Sequence, residues 1–226
     1  MALATRRKMK SILTRLQRMY GRKHWKCWGK GIDVLVGTIL SQNTSAANSD
    51  AGYRQLRRRF RSWNQVASAP VNEIERHIRV SGLSRIKAPR IQQILRQIKA
   101  DVGRIDLQHL ADWGPQRAYE YLTNFAGVGP KTAYCVLMFS FGIKVFPVDT
   151  HIHRIAIRLG LVDPKASAEE TCEALTPLIA PEDRYEMHVL LIEHGRKTCR
   201  ARNPQCDRCA LLPLCPFGRN RLSSDV

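Results

Sequence analysis

The stretch from Leu122 to His151 reads LTNFAGVGPKTAYCVLMFSFGIKVFPVDTH and confines the chain more than any other. Gly127-Val128-Gly129 makes a tight turn whose two glycines tolerate positive φ or a close backbone approach. Pro130 suits the first position of a helix, where its missing N–H would be unpaired anyway. Ala133, Val136, Leu137 and Phe141 then recur at helical spacing until Gly142 stops them. Bare amides of Gly127 and Gly129 thus stand beside a helix N-terminus, which is an anion site. Lys131 lies in the first turn of this helix, where the dipole disfavours an ammonium and so favours the neutral amine of a nucleophile. Asp149 follows the apolar run Val145-Phe146-Pro147-Val148 and precedes a helix faced by Ile152, Ile155, Ala156 and Leu159, with Gly160 at its end. Asp at that place is a natural N-cap, and Lys131 in a hairpin is as well suited to holding a phosphate as to chemistry.

The charge balance selects the anion. The chain has 226 residues, and 37 Lys and Arg against 19 Asp and Glu leave a net +18 and a pI near 10.2. Such an excess favours a polyanion, with DNA or RNA ahead of an anionic membrane surface. No apolar run reaches the roughly eighteen residues that would span a bilayer. The N-terminal MALATRRKMKSILTRLQRMY lacks the apolar region of a secretory signal. It is basic and free of acid, like a transit peptide, but Ile12, Leu13, Leu16 and Met19 make a core-facing stripe, so it is read as part of the fold.

The remaining segments are helical, and none alternates with period two, so the class is all-α. Residues 20–31 form a basic aromatic connector in which Trp25 and Trp28 are expected to pack. Ile32 to Leu40 is nearly all apolar and runs into the polar cluster Ser41-Gln42-Asn43-Thr44-Ser45. Residues 46–60 and Val71 to Val80 read as helices, with Gly82 stopping the second, and Pro89 to Lys99 as another. Trp113-Gly114-Pro115 opens the helix before the hairpin. Ser167 and Glu170 form a capping box. Tyr185 to His194 is a long helix that Gly195 is expected to end.

Cys199, Cys206, Cys209 and Cys215 follow at C-x6-C-x2-C-x5-C spacing. Four thiolates on one short loop can enclose a tetrahedral ion or a cubane cluster. Donor chemistry alone favours zinc, although two C-x2-C knuckles are its usual arrangement and one is present. The odd total of seven cysteines argues for a reducing compartment rather than for disulfides. Cys27, Cys135 and Cys172 are scattered and expected to be core residues.

FAGVGPKTA, VDTH and the cysteine loop, in this order, resemble the helix-hairpin-helix DNA glycosylases, and most closely the endonuclease III family, over roughly residues 9–217. The resemblance implies a two-lobed fold: residues 25–143 as a helical-barrel lobe, and 144–226 with the first helix, 1–24, as a cluster lobe. It implies that Lys131 is a Schiff-base lysine and Asp149 its supporting carboxylate, facing each other across a cleft. It implies that loop 199–215 holds a [4Fe–4S] cluster through the four cysteines and displays Lys197, Arg200 and Arg202 to DNA. Gln42 matches the glutamine that enters the stack where the target nucleotide has left, and Leu83, in SGLSRIKA, matches the wedge leucine. The implied partner is double-stranded DNA with a damaged base or abasic site, bound by a monomer that needs no membrane and works in the cytoplasm, at the nucleoid, if the source is prokaryotic. The implied reaction is removal of an oxidised pyrimidine followed by β-elimination. A monofunctional mismatch glycosylase and a non-catalytic iron–sulfur DNA-binding module are the competing readings. Ser45, Pro130 and His153 depart from residues common at these places.

Overall fold

The computed structural model describes residues 2–224, with side chains from 5 to 223. The ends of the expected segments 1–24 and 144–226 lie outside this range. Twelve α-helices follow one another, with no strand among the described residues. They are α1 Ala2–Tyr20, α2 Gly31–Ser41, α3 Ala46–Arg59, α4 Trp63–Ser68, α5 Val71–Ile78, α6 Ser84–Val102, α7 Pro115–Thr123, α8 Pro130–Phe141, α9 Thr150–Arg158, α10 Ala168–Leu175, α11 Arg184–Lys197 and α12 Pro216–Ser224. The chain divides into two compact units, one from Lys26 to Ile143 and one combining the residues up to Trp25 with those from Lys144 onward.

In the Lys26–Ile143 unit, α2 packs against α8 and α3, α5 against α3 and α6, and α7 against α8. Ile32, Leu35, Val36 and Ile39 of α2 are buried, as their unbroken apolar run demands. A Cβ at Gly31 would lie 2.9 Å from side-chain atoms of Leu107 and Phe141, so the start of α2 is held close to its neighbours. The other unit is built on Ile12, Leu16, Phe146, Ile152, Ile155 and Leu190, contributed by α1, α9, α11 and the segment before α9.

Several elements differ from their sequence expectation. The stripe of α1 is Met9, Ile12, Leu13 and Leu16; Met19 is 37% exposed, and Tyr20 packs on the core in its place. The helix expected from Pro89 begins at Ser84, with Pro89 inside it. The proline removes one backbone bond near the start of a nineteen-residue helix that the burial of Ile91, Ile94, Leu95 and Ile98 sustains. Helix α4 was not anticipated, although Ser62 and Gln65 form the reciprocal cap that announces it. Helix α12 was also missed, since nothing in its composition marks an amphipathic face.

Gly195 does not end α11, which continues to Lys197. A Cβ on Gly195 would come within 2.7 Å of His151 Cβ, so the glycine serves the approach of α9 and α11. Gly195→Ala is expected to force these helices apart and to cost about 1–3 kcal/mol, seen as a lowered Tm in thermal denaturation followed by circular dichroism.

Candidate nucleic-acid interface and reactive groups

The hairpin is set by two glycines in different ways. Gly127 has φ +76, and a Cβ there would lie inside the Arg90 guanidinium. Gly129 has φ −89 and nothing within 4 Å of where a Cβ would stand. The fold therefore requires Gly127, whereas Gly129 leaves an open approach to the N-terminus of α8. No side chain caps that helix. The amides of Gly127, Gly129, Lys131 and Thr132 donate to no acceptor among the described residues. Unpaired donors beside the positive end of a helix can receive an anion such as a phosphate.

Lys131 is half-buried and makes no hydrogen bond or ion pair among the described residues. Its amine is spent on nothing structural. Thr132, its neighbour, is buried and accepts a bond from Gln42 Nε2 at 3.4 Å. Gln42 also donates to Gly127 O at 3.2 Å and accepts from Arg90 Nη1 at 3.5 Å. The structure thus joins Gln42 to the hairpin that carries Lys131. Leu83 belongs to the same unit, is 49% exposed, and has left-handed backbone at φ 50. Leu83 is thus not a core residue. Arg90 and Thr132 were not singled out from the sequence, and an arginine inside an amphipathic helix gives no local signal of such a task.

The other unit places Asp149 at the N-cap of α9. Its Oδ1 accepts both capping bonds, from His151 N at 2.9 Å and Ile152 N at 2.8 Å. Oδ2 accepts no hydrogen bond among the described residues. The carboxylate therefore caps the helix with one oxygen and keeps the other uncommitted among the described residues.

The cysteine loop is tied to α9 by two arginines one turn apart. Arg154 donates to Cys199 O at 2.8 Å and Gly195 O at 3.0 Å. Arg158 donates to Arg200 O at 2.8 Å, Ala201 O at 3.0 Å and Cys199 Sγ at 3.2 Å. The Sγ atoms of Cys215 and Cys206 lie 3.7 Å and 3.8 Å from the point a Gly218 Cβ would occupy. His194, whose basicity burial pushes down to about 4 with help from Arg154, reaches Cys209 Sγ at 3.6 Å. Burial raises the thiols of Cys206, Cys209 and Cys215, Cys209 to about 11, and the neighbouring sulfurs add to it. The four sulfurs act on one another electrostatically, and no group of three or more metal-ligating side chains that could hold a single ion occurs among the described residues. Arg200 and Arg202 are exposed, with side chains that make no hydrogen bond or ion pair among the described residues. Lys197 is instead held by Glu193 at 2.6 Å. Cys27, expected in a core, is exposed and lies 3.4 Å from Gly29 O. Trp28 stacks on Phe139 at 4.0 Å but stays 55% exposed.

Comparison with known proteins places these groups in context. The model of the HhH-GPD superfamily of base excision DNA repair proteins matches residues 36–181. Endonuclease III of Thermotoga maritima is 36% identical over 194 residues, covering 85% of this chain and 86% of that protein. A protein of Arabidopsis thaliana named as a DNA glycosylase is 38% identical over 165 residues; the match covers 73% of this chain but just over half of that protein, 56%. A solved trapped covalent intermediate of endonuclease III with DNA superposes with a TM-score of 0.83 at 29% identity, covering 96% of this chain and 98% of that one. No helix here is long and apolar enough to cross a membrane among the described residues.

The two tasks of Asp149 are separable by substitution. Asp149→Asn keeps a capping oxygen and is expected to leave stability within about 0.5 kcal/mol, whereas Asp149→Ala loses the cap and costs about 1 kcal/mol. Paired thermal melts check the difference.

Proposed function

The chain belongs to the endonuclease III family, within the HhH-GPD superfamily of base excision DNA repair proteins, and on that premise we propose that it is a bifunctional DNA glycosylase and AP lyase acting on oxidised pyrimidines in duplex DNA. The observation that carries this reading is the pairing of an uncommitted amine, Lys131, with an uncapped helix N-terminus whose free amides can hold the phosphate backbone.

The steps follow from the groups. The unpaired amides of the hairpin bind a backbone phosphate, which sets position without reading sequence. The damaged nucleotide leaves the stack at a cost of a few kcal/mol, least where pairing is already weak. Gln42 and Leu83 fill the space it vacates. Neutral Lys131 attacks C1′, and the C1′–N bond breaks with its electron pair passing to the base, which takes up a proton. Asp149, through Oδ2, accepts the proton lost by the lysine or balances the positive charge growing on the sugar. Opening of the sugar ring gives the Schiff base between Lys131 Nζ and C1′. Loss of a C2′ proton then expels the 3′ phosphate by β-elimination, and water releases Lys131 from the sugar. Arg200 and Arg202 supply further phosphate contacts, while Lys197, held by Glu193, contributes less.

Cys199, Cys206, Cys209 and Cys215 would hold a [4Fe–4S] cluster. The donor set fits by its chemistry, because four cysteine sulfurs close enough to act on one another are the ligands such a cluster takes. The cluster supplies cross-linking of the loop, and no step of the reaction passes through it. The monomeric state and the cytoplasmic setting belong to the same proposal.

Borohydride reduction in the presence of a duplex with one abasic site is expected to give a covalent adduct with the wild type and none with Lys131→Ala. Absence of an adduct from folded, DNA-binding wild type would overturn the lyase. Asp149→Asn is expected to slow base release about a hundredfold or more, in line with loss of a positioned proton acceptor. Elemental analysis is expected to find iron and acid-labile sulfide rather than zinc, and Cys206→Ser to lose both.

A further inference from the structure

Lys87 is fully buried, 1% exposed. Its ammonium has no carboxylate partner among the described residues. It donates to two main-chain carbonyls, Leu40 O at 2.7 Å and Ser81 O at 2.8 Å. Burial pushes its basicity down, which is the cost of an ammonium placed there. The ammonium answers two carbonyls that would otherwise be buried without a partner, so what it holds in place is set by the identity of those two acceptors.

Each acceptor stands two residues before an interface residue. Leu40 O lies at the end of α2, where helix carbonyls lack partners, and the chain then runs to Gln42. Ser81 O closes the 3-10 turn Arg79–Ser81, and the chain then runs to Leu83. Beyond both carbonyls the backbone turns left-handed, at Asn43 (φ 53), Gly82 (φ 67) and Leu83 (φ 50). The two loops touch, since a Cβ on Gly82 would lie 4.0 Å from Asn43 O. One ammonium thus bolts together two sharply bent loops from different parts of the sequence. One turn along α6, Arg90 joins Gln42 to the hairpin. Ile86, beside Leu83 on the outer side of the same turn, is 52% exposed.

We propose that Lys87 is a positioning residue for base extrusion: it fixes Gln42 and Leu83 at one separation, so that both enter the duplex together. The proposal rests on the reading that these two residues enter the stack. It distinguishes Lys87 from a residue that merely holds the unit folded, because its loss should harm only those substrates whose base must be extruded from intact stacking.

Lys87→Met removes the ammonium and keeps the length, and Ile98→Val, on the same helix, is the control for general loosening. The first measurement is excision of a damaged base from fully paired duplex against strand cleavage at an abasic site inside an unpaired bubble. Lys87→Met is expected to lose tenfold or more in the first and less than twofold in the second, and Ile98→Val to change neither by more than twofold. The second is fluorescence of 2-aminopurine opposite a non-cleavable abasic analogue at saturating protein. Its rise on binding is expected to fall at least threefold in Lys87→Met. Equal loss on both substrates, or no loss, overturns the proposal. A wild type inert on both substrates overturns the enzymatic reading instead, and the fluorescence then decides on Lys87 alone. Should Lys87→Met fail to fold, Lys87→Gln takes its place, with a loss confined to the paired substrate expected and an even loss overturning.

Discussion

At Gly127 two independent constraints meet: a backbone turned to φ +76, and the Arg90 guanidinium filling the space a Cβ would take. The interface unit depends on this point. Because the position is bare, Arg90 can lie beneath the hairpin, and because Arg90 lies there, its Nη1 reaches Gln42. Gln42 in turn donates to Gly127 O and Thr132 Oγ1, which closes the circuit around the start of α8. A side chain at Gly127 would displace the guanidinium from Gln42 and strain the turn. The hairpin is thus more than a loop between helices; it is one corner of a polar frame whose other corners are Gln42, Arg90 and Thr132.

The positive charge of the chain has two uses, and only one faces outward. Much of it is turned inward on main-chain oxygen. Lys8 bonds Leu159 O at 2.5 Å, Arg96 bonds Ala67 O at 2.7 Å, and Lys87, Arg154 and Arg158 close the ends of further segments in the same way. An assembly of short helices has many terminal carbonyls without partners. Long cationic side chains satisfy them and also complement the negative ends of the helices. The +18 net charge therefore overstates the surface offered to a polyanion, and the residues that remain uncommitted, such as Arg200 and Arg202, carry the more specific meaning.

Local signals in the sequence are reliable where one short stretch contains the whole cause. The turn at Gly127, the proline start of α8, the Asp149 cap and the Ser167–Glu170 box all have their partners within a few residues, and each forms. Gly195 could not be read correctly, because the reason for it is His151, far along the chain. The same holds for Lys87, which in an amphipathic helix has the look of a surface residue until Leu40 and Ser81 are brought to it. Met19 and Tyr20 exchanged places because a helical stripe drifts, and which residue of the last turn lands on the core depends on what the core presents. The Ser62–Gln65 cap of α4 was legible but short, since a six-residue helix offers too little apolar periodicity to support its own signal. In the candidate site, Lys131 and Asp149 stand inside recognisable motifs, while Arg90, which bonds to Gln42, stands in none.

Helices α8 and α9 show the two things a helix N-terminus can do in such a protein. At α9 the orphan amides are answered from within, by Oδ1 of Asp149. At α8 they are left open, with no capping side chain and with glycine where a side chain would have been sterically free to stand. An uncapped N-terminus forgoes stability that a serine or aspartate at Gly129 could recover, about a few tenths of a kcal/mol relative to glycine. Such a residue would also occupy the anion site and repel or block the phosphate that the open amides can take. The absence of a cap at α8 and the double use of the cap at α9 are thus the same economy seen from opposite sides. In one, the fold forgoes an internal anion to leave room for an external one; in the other, it uses one oxygen of an internal anion and leaves the second without a bond among the described residues.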